Sequence, residues 1–225
     1  MGRMLRGSLC AIGLVVLLAA PVAGGTSNVR SFERARSARA IGEECRDSSD
    51  GTLKTCDRVS AYVYKGRRGG TNPNRRFAGH EVCVSRSTYT TDRGSVIRFR
   101  TMDFCVKNAP SLHVRFDDGI RRASVQGTIR AFVSSCTYVP TEVCEEREPT
   151  IAVHLTWTAL PGPATEEFSY KRTTSDGCET TITSTVRSRS ARAAGELGGR
   201  PVPLLSPSYS PTLEKVDRLR TRVCQ

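Results

Sequence analysis

The sequence predicts an all-β fold, an antiparallel β-sandwich or barrel-like domain stabilised by disulfides, and three observations carry that expectation. First, two segments alternate with period two, the signature of half-buried strands. In Thr150 to Ala159, residues Ile151, Val153, Leu155, Trp157 and Ala159 share one face while His154, Thr156 and Thr158 share the other. In Ala123 to Val133, residues Val125, Ile129 and Val133 lie opposite Ser124, Gln126, Thr128 and Arg130. Second, turn-forming clusters recur between such segments. Third, of nine cysteines, eight spread over the chain beyond its apolar start, an even set typical of an oxidising compartment.

Taken in order, residues 1–24 read as a secretory signal. Arg3 and Arg6 precede an apolar run from Leu9 to Ala20, Pro21 closes it, and small residues follow, with cleavage expected after Gly24 or Gly25. The run is about a dozen residues, short of the ~20 a spanning helix needs, so no transmembrane anchor is expected once the signal is removed. Residues 25–41 read as a basic flexible arm, with Arg30, Arg34, Arg36 and Arg39 among Ser and Ala and little apolar surface to offset ordering. A short helix over Phe32 to Ile41 is the alternative.

The β-rich domain then spans 42–225, either as one unit or as two packed halves split near 137–149. Besides the two clear strands, weaker ones are expected at Arg58 to Tyr64, Glu81 to Arg86, Ser95 to Met102, Leu112 to Phe116, Glu167 to Thr173 and Thr180 to Ser190. Turns separate them at Gly66 to Asn74, Asp92 to Gly94, Asp117 to Gly119, Pro161 to Pro163 and Ser175 to Gly177. Gly127 inside a strand marks a bulge or a close backbone approach. Ala191 to Pro211, rich in Gly and Pro, reads as a long loop tethering the last element. Leu213 to Cys224 is a helix or a strand, because Leu213, Val216, Leu219 and Val223 recur at helical spacing. Trp157 follows most of the cysteines rather than sitting between a core pair, so the immunoglobulin arrangement is not expected.

Cys10 lies within the expected signal. The remaining Cys45, Cys56, Cys83, Cys105, Cys136, Cys144, Cys178 and Cys224 contain no C-x-x-C pair, which removes the usual spacings for redox catalysis and zinc ribbons. Sequence alone leaves the connectivity open. Pairing between sequence neighbours is expected: Cys45 with Cys56, Cys83 with Cys105, Cys136 with Cys144, and Cys178 with Cys224.

The chain has 34 Lys and Arg against 22 Asp and Glu, a net charge of +12, and without Arg3 and Arg6 the exported part is near +10. Arg98 with Arg100, and Arg187 with Arg189, are spaced to project from one strand face, and Arg121 with Arg122 sits beside a turn. These six are the candidate anion-binding residues. Arg67 with Arg68 and Arg75 with Arg76 flank another turn. Anionic envelope polymers and acidic glycans are the expected partners. Specific nucleic-acid binding is not, because a stacking platform needs aromatics among the basic residues and only Tyr62 and Tyr64 beside Arg67 and Arg68 qualify. GC-rich coding, visible in the excess of arginine over lysine, accounts for the charge equally well without any ligand.

His80, His113 and His154 show no metal-type spacing, and no cofactor is expected. There is no G-x-S-x-G elbow and no H-E-x-x-H, and the acid pairs Asp117 with Asp118 and Glu166 with Glu167 point to opposite faces or form turns. Asp47, Asp50 and Gly51 offer oxygens around a turn but lack the spacing of a calcium loop.

The Arg/Ala/Gly-rich composition, the strand Thr150 to Ala159 preceded by Cys136 and Cys144, and the turn Asp176, Gly177, Cys178 resemble secreted, β-rich, disulfide-containing proteins of high-GC, actinobacterial-type bacteria. The likeness covers about half the chain and implies export and a β fold, but no activity. The expected function is a secreted or cell-envelope binding or structural protein without catalysis. The alternative is a secreted hydrolase whose site is assembled from distant loops.

Overall fold

The protein is described here by a computed structural model, which covers residues 28–71, 76–204 and 210–224. The expected signal at 1–24 lies outside the described residues, as do 72–75 of the expected turn and 205–209 of the expected loop. Thirteen strands follow one another: β1 Asn28–Asp47, β2 Leu53–Gly70, β3 Phe77–Asp92, β4 Ser95–Lys107, β5 Leu112–Phe116, β6 Arg122–Arg130, β7 Phe132–Thr137, β8 Val143–Arg147, β9 Thr150–Ala159, β10 Thr165–Ser175, β11 Cys178–Leu197, β12 Arg200–Pro201 and β13 Thr212–Cys224. All pair antiparallel, in the order β5-β6-β9-β11-β13-β1-β2-β3-β4-β7-β8, with β10 and β12 also on β11. The fold is thus all-β, an antiparallel sheet curled into a half-barrel, with no helix among the described residues.

β11 closes the curl. Its first part, Cys178 to Ser190, pairs with β13 in a large sheet, and its last part, Ala191 to Leu197, pairs with β9 in a small sheet of β5, β6 and β9. The small sheet lies against the inner face of the large one, and the core forms between them. Ala38, Ala40, Val59, Ala61, Val63, Val82 and Val84 come from the large sheet, and Val125, Val153, Leu155 and Trp157 from the small one. Val59, Ala61, Val63, Val82, Val125 and Leu155 are fully buried. Each buried Val or Leu contributes ~1.5–3 kcal/mol. The alternation read in Thr150 to Ala159 is found as expected, with Val153, Leu155 and Trp157 inward.

The flexible arm and the long loop differ from expectation, and the choice left open at Leu213 to Cys224 is decided. The expected flexible arm, of which 25–27 lie outside the described residues, is from Asn28 onward strand β1, which pairs with β2 on one side and β13 on the other. Its inward positions are occupied by Ala38, Ala40 and Gly42, too small to produce a hydrophobic alternation, yet buried because the opposite sheet supplies the bulk. The expected loop from Ala191 begins as strand: β11 runs to Leu197, a tight two-residue turn at Gly198 (φ 61°) and Gly199 (φ 73°) follows, and β12 returns. Leu213 to Cys224 is strand β13. Hydrogen bonding to neighbours on both sides outweighs its helical spacing of apolar residues.

The four cystines join Cys45 to Cys56, Cys83 to Cys105, Cys136 to Cys144 and Cys178 to Cys224, the pairing expected between sequence neighbours. Each joins residues directly opposite each other on adjacent strands. Alternation places all four on the outer face of the large sheet, away from the core. The expected close approach at Gly127 is real: its φ is 148° and a Cβ there would lie 1.9 Å from the Ser111 carbonyl oxygen.

Candidate functional site

The large sheet is longer than the small one that covers it, so its inner face emerges at both ends of the core. At one end, the strand positions next to the core residues Leu213, Ala38 and Val63 are Lys215, Arg36 and Lys65. Register sets these three side by side, with Arg187 of β11 opposite Lys215, so that four cations cross four adjacent strands in one row. Strands are ~4.8 Å apart, and like charges placed directly opposite are unfavourable. Carboxylates and a carbonyl hold the row together. Arg187 Nε donates to Glu166 Oε2 at 2.6 Å, Arg36 Nη2 to Asp118 Oδ1 at 2.7 Å, and Lys65 Nζ to the Val114 carbonyl at 3.0 Å. Asp217 stands between Lys215 Nζ, 3.7 Å away, and Arg34 Nε, 3.8 Å away. Arg67 lies opposite Arg34 on the same face.

Glu166, Thr185, Arg187, Lys215 and Asp217 line a cavity of about 300 Å³. Beyond it, on the same inner face, Phe168 is opposite Thr185, Tyr170 opposite Thr183 and Phe32 opposite Leu219. These rings are 64%, 59% and 41% exposed, respectively, unusually open for aromatics on a sheet. Cations, hydrogen-bonding carboxylates and flat apolar rings therefore occupy one continuous curved surface.

The six arginines singled out from the sequence divide between sites. Arg187 belongs to this row. Arg189 also faces inward but is turned into the protein: it donates to the Gly162 carbonyl at 2.6 Å and pins the β9–β10 loop. Arg121 and Arg122 are exposed at the start of β6, where their backbone N–H groups donate to Asp117 Oδ1 at 2.6 and 3.1 Å, beside the Asp118 that holds Arg36. Arg98 and Arg100 face inward from β4 at the far end of the sheet. Arg100 sits in the same register row as Glu44 of β1, and that row is eight residues, or ~27 Å of strand, from Arg36. Sequence reading missed Arg34, Arg36, Lys65 and Lys215, because cross-strand register between distant segments brings them together.

Other candidates resolve into structural roles. Tyr64 donates to Glu33 Oε1 at 3.3 Å on the outer face, where Arg68 also reaches Glu33 at 3.0 Å and Arg218 at 3.4 Å. Burial first, then the Glu33 charge, pushes the Tyr64 phenol up to about 12. Arg39 covers the Tyr62 ring at 5.8 Å. Asp50 accepts bonds from Ser48 and Thr52, which hold its carboxyl down at about 2 as a turn former. His113 and His154 share a row on the outer face of the small sheet with Gln126 between them, about two strand spacings (~10 Å) apart, too far to ligate one ion. The two clusters of metal-type ligands among the described residues each consist of a glutamate beside a cystine, Glu43 with Cys45 and Cys56, and Glu81 with Cys83 and Cys105. No described helix is long and apolar enough to cross a membrane. No protein-family model matches this chain, and no curated protein matches it either.

Proposed function

We propose that this is an exported, non-enzymatic binding protein that holds an acidic polysaccharide on the inner face of its curled sheet. The observation that carries this reading is the row Arg187, Lys215, Arg36 and Lys65, directly opposed across four strands and bordered by Phe168, Tyr170 and Phe32. Cations suit the carboxylates or sulfates of the polymer. Glu166 and Asp217 suit sugar hydroxyls as acceptors, and exposed rings suit the apolar faces of pyranoses. An anion on the row also relieves the repulsion between its cations. The four cystines are consistent with an oxidising compartment.

The test is retention of the oxidised protein on immobilised polygalacturonate, a sulfated glycan and a neutral glucan across a salt series. Retention on the acidic polymers, lost toward moderate salt and weakened in R187Q/K215Q and in F168A/Y170A, is the expected result. Equal retention on the neutral glucan, or indifference to both double variants, refutes the reading. Release of new reducing ends on incubation favours the hydrolase instead. Against that alternative, Glu166 and Asp217 are each engaged by a cation and neither stands free as an acid–base group.

A further inference from the structure

At the opposite end of the inner face, we propose that Arg86, Arg100, Arg147 and Arg200 form a separate clamp for a tetrahedral dianion, the phosphate monoester of a small molecule or chain terminus, or the free phosphate or sulfate ion. The placement follows from register. Arg86 of β3 lies opposite Met102, which lies opposite Val133, which lies opposite Arg147 of β8, so the two arginines flank the core residues Met102 and Val133 on the inner face. Arg100 is the next inward residue of β4 beyond Met102, with Thr88 and Ser135 opposite it on either side. Arg200 is brought in from the other sheet by the tight β11–β12 turn, which leaves it little freedom to swing away.

Arg100 is close enough to feel the other three guanidiniums. Burial first, then the charges of Arg147, Arg200 and Arg86, hold the Arg100 guanidinium below its ordinary value. Evolving such a cluster without a counter-charge is costly. Among the described residues, none of Arg100, Arg147 and Arg200 has a carboxylate within ion-pair distance. Two nearby acids are committed elsewhere, Asp57 to Arg86 and Glu44 to Arg46. Glu145 lies on the edge strand, one residue beyond Ser135 in the row.

Arg86 has a different role from the other three. Its Nε donates to Asp57 Oδ1 at 2.9 Å and its Nη2 to Asp57 Oδ2 at 2.6 Å, a bidentate grip that fixes the plane of the group. Both donors of that edge are consumed, while the Nη1 donors remain to point away from Asp57. A fixed guanidinium, three unpaired ones and the Ser135 hydroxyl suit a compact group with several equivalent acceptor oxygens and two negative charges, while the Thr88 hydroxyl donates to Asp57 at 3.4 Å. A lone carboxylate would meet only a fraction of those donors. The clamp is ~20–27 Å of strand from the polysaccharide row, so the two readings stand or fall separately.

The experiment is titration calorimetry of the full oxidised protein at low salt with inorganic phosphate, inorganic sulfate, glycerol 3-phosphate and acetate as probes. Saturable binding of the tetrahedral anions with acetate at least about tenfold weaker is expected, as is about tenfold loss in R147Q and again in R200Q, each having lost a charge-assisted contact. Both residues are exposed, so these variants keep the fold, which a thermal melt checks. R115Q, altered at an exposed position on the outer face of the small sheet, is expected to bind phosphate as the parent does. Glycerol 3-phosphate binding is expected to strengthen from pH 5 to 7, as its second proton leaves near ~6, while sulfate binding stays level. Preference for glycerol 3-phosphate over the inorganic ions identifies a phosphate ester as the source, and equal binding identifies the free dianion. Absence of saturable binding, equal affinity for acetate, or indifference to R147Q and R200Q overturns the clamp.

Discussion

Replacing the cystines by alanine pairs, one at a time, is expected to cost stability in the order set by the loop that each one closes. The loops span 46 residues for Cys178–Cys224, 22 for Cys83–Cys105, 11 for Cys45–Cys56 and 8 for Cys136–Cys144. The chain-entropy relation converts these to about 4.0, 3.4, 2.8 and 2.5 kcal/mol at 25 °C. The order has a structural counterpart. Cys224 ends β13, an interior strand held between β1 and β11, and the bridge ties that strand to the start of β11. Cys136 and Cys144 instead close a hairpin whose outer strand, β8, is an exposed sheet edge. Equilibrium urea unfolding of the oxidised double variants, followed by far-ultraviolet circular dichroism and Trp157 fluorescence, measures the four losses. If C178A/C224A costs no more than C136A/C144A, loop entropy does not govern these bridges and the reasoning fails.

Further outcomes concern a crowded glycine and a buried phenol. Gly127→Ala is expected to cost about 3 kcal/mol or more, since the new Cβ meets the Ser111 carbonyl at 1.9 Å with φ at 148°. Gly51→Ala, where φ is 69° but nothing lies within 4 Å, is expected to cost only ~1–2 kcal/mol; equal losses in urea unfolding would contradict the crowding argument. Tyr64 has its phenol raised from 10.0 to about 12 on folding, so the stability linked to it is present in full below pH 10 and drains away as pH rises toward 12. The stability gap between the parent and Tyr64→Phe is therefore expected to narrow over that window. An ultraviolet titration that shows every tyrosine ionising near pH 10 would exclude the shift.

How much of this was legible from sequence varied with how local the signal is. The alternation of Ile151, Val153, Leu155 and Trp157 marks a strand without help from any partner, because one strand face must leave water wherever it packs. The turns at Arg93-Gly94 and Asp176-Gly177 are equally local: both use positive φ values, 47° and 88° in the first and 52° and 69° in the second, which suit a two-residue hairpin turn. The expected neighbour pairing of the cystines, which the sequence left open, holds because three of the four close hairpins between consecutive strands. The central strand β1 was not readable. Ala38 and Ala40 carry too little apolar surface to announce burial, and they are buried only because β2 and β13 flank them and the small sheet covers them.

The sequence by itself determined the class of the fold, its main turns and its surplus of arginine, and left the covalent pairing open. Only the tertiary structure decided which charges meet. Arg36, Lys65, Arg187 and Lys215 come from four strands scattered along the chain, and Arg86, Arg100, Arg147 and Arg200 from four others. The physical reason is that antiparallel register is fixed by hydrogen bonds between whole strands. A one-residue slip would send every one of these side chains to the opposite face, and no local pattern in any single strand records its partner's position.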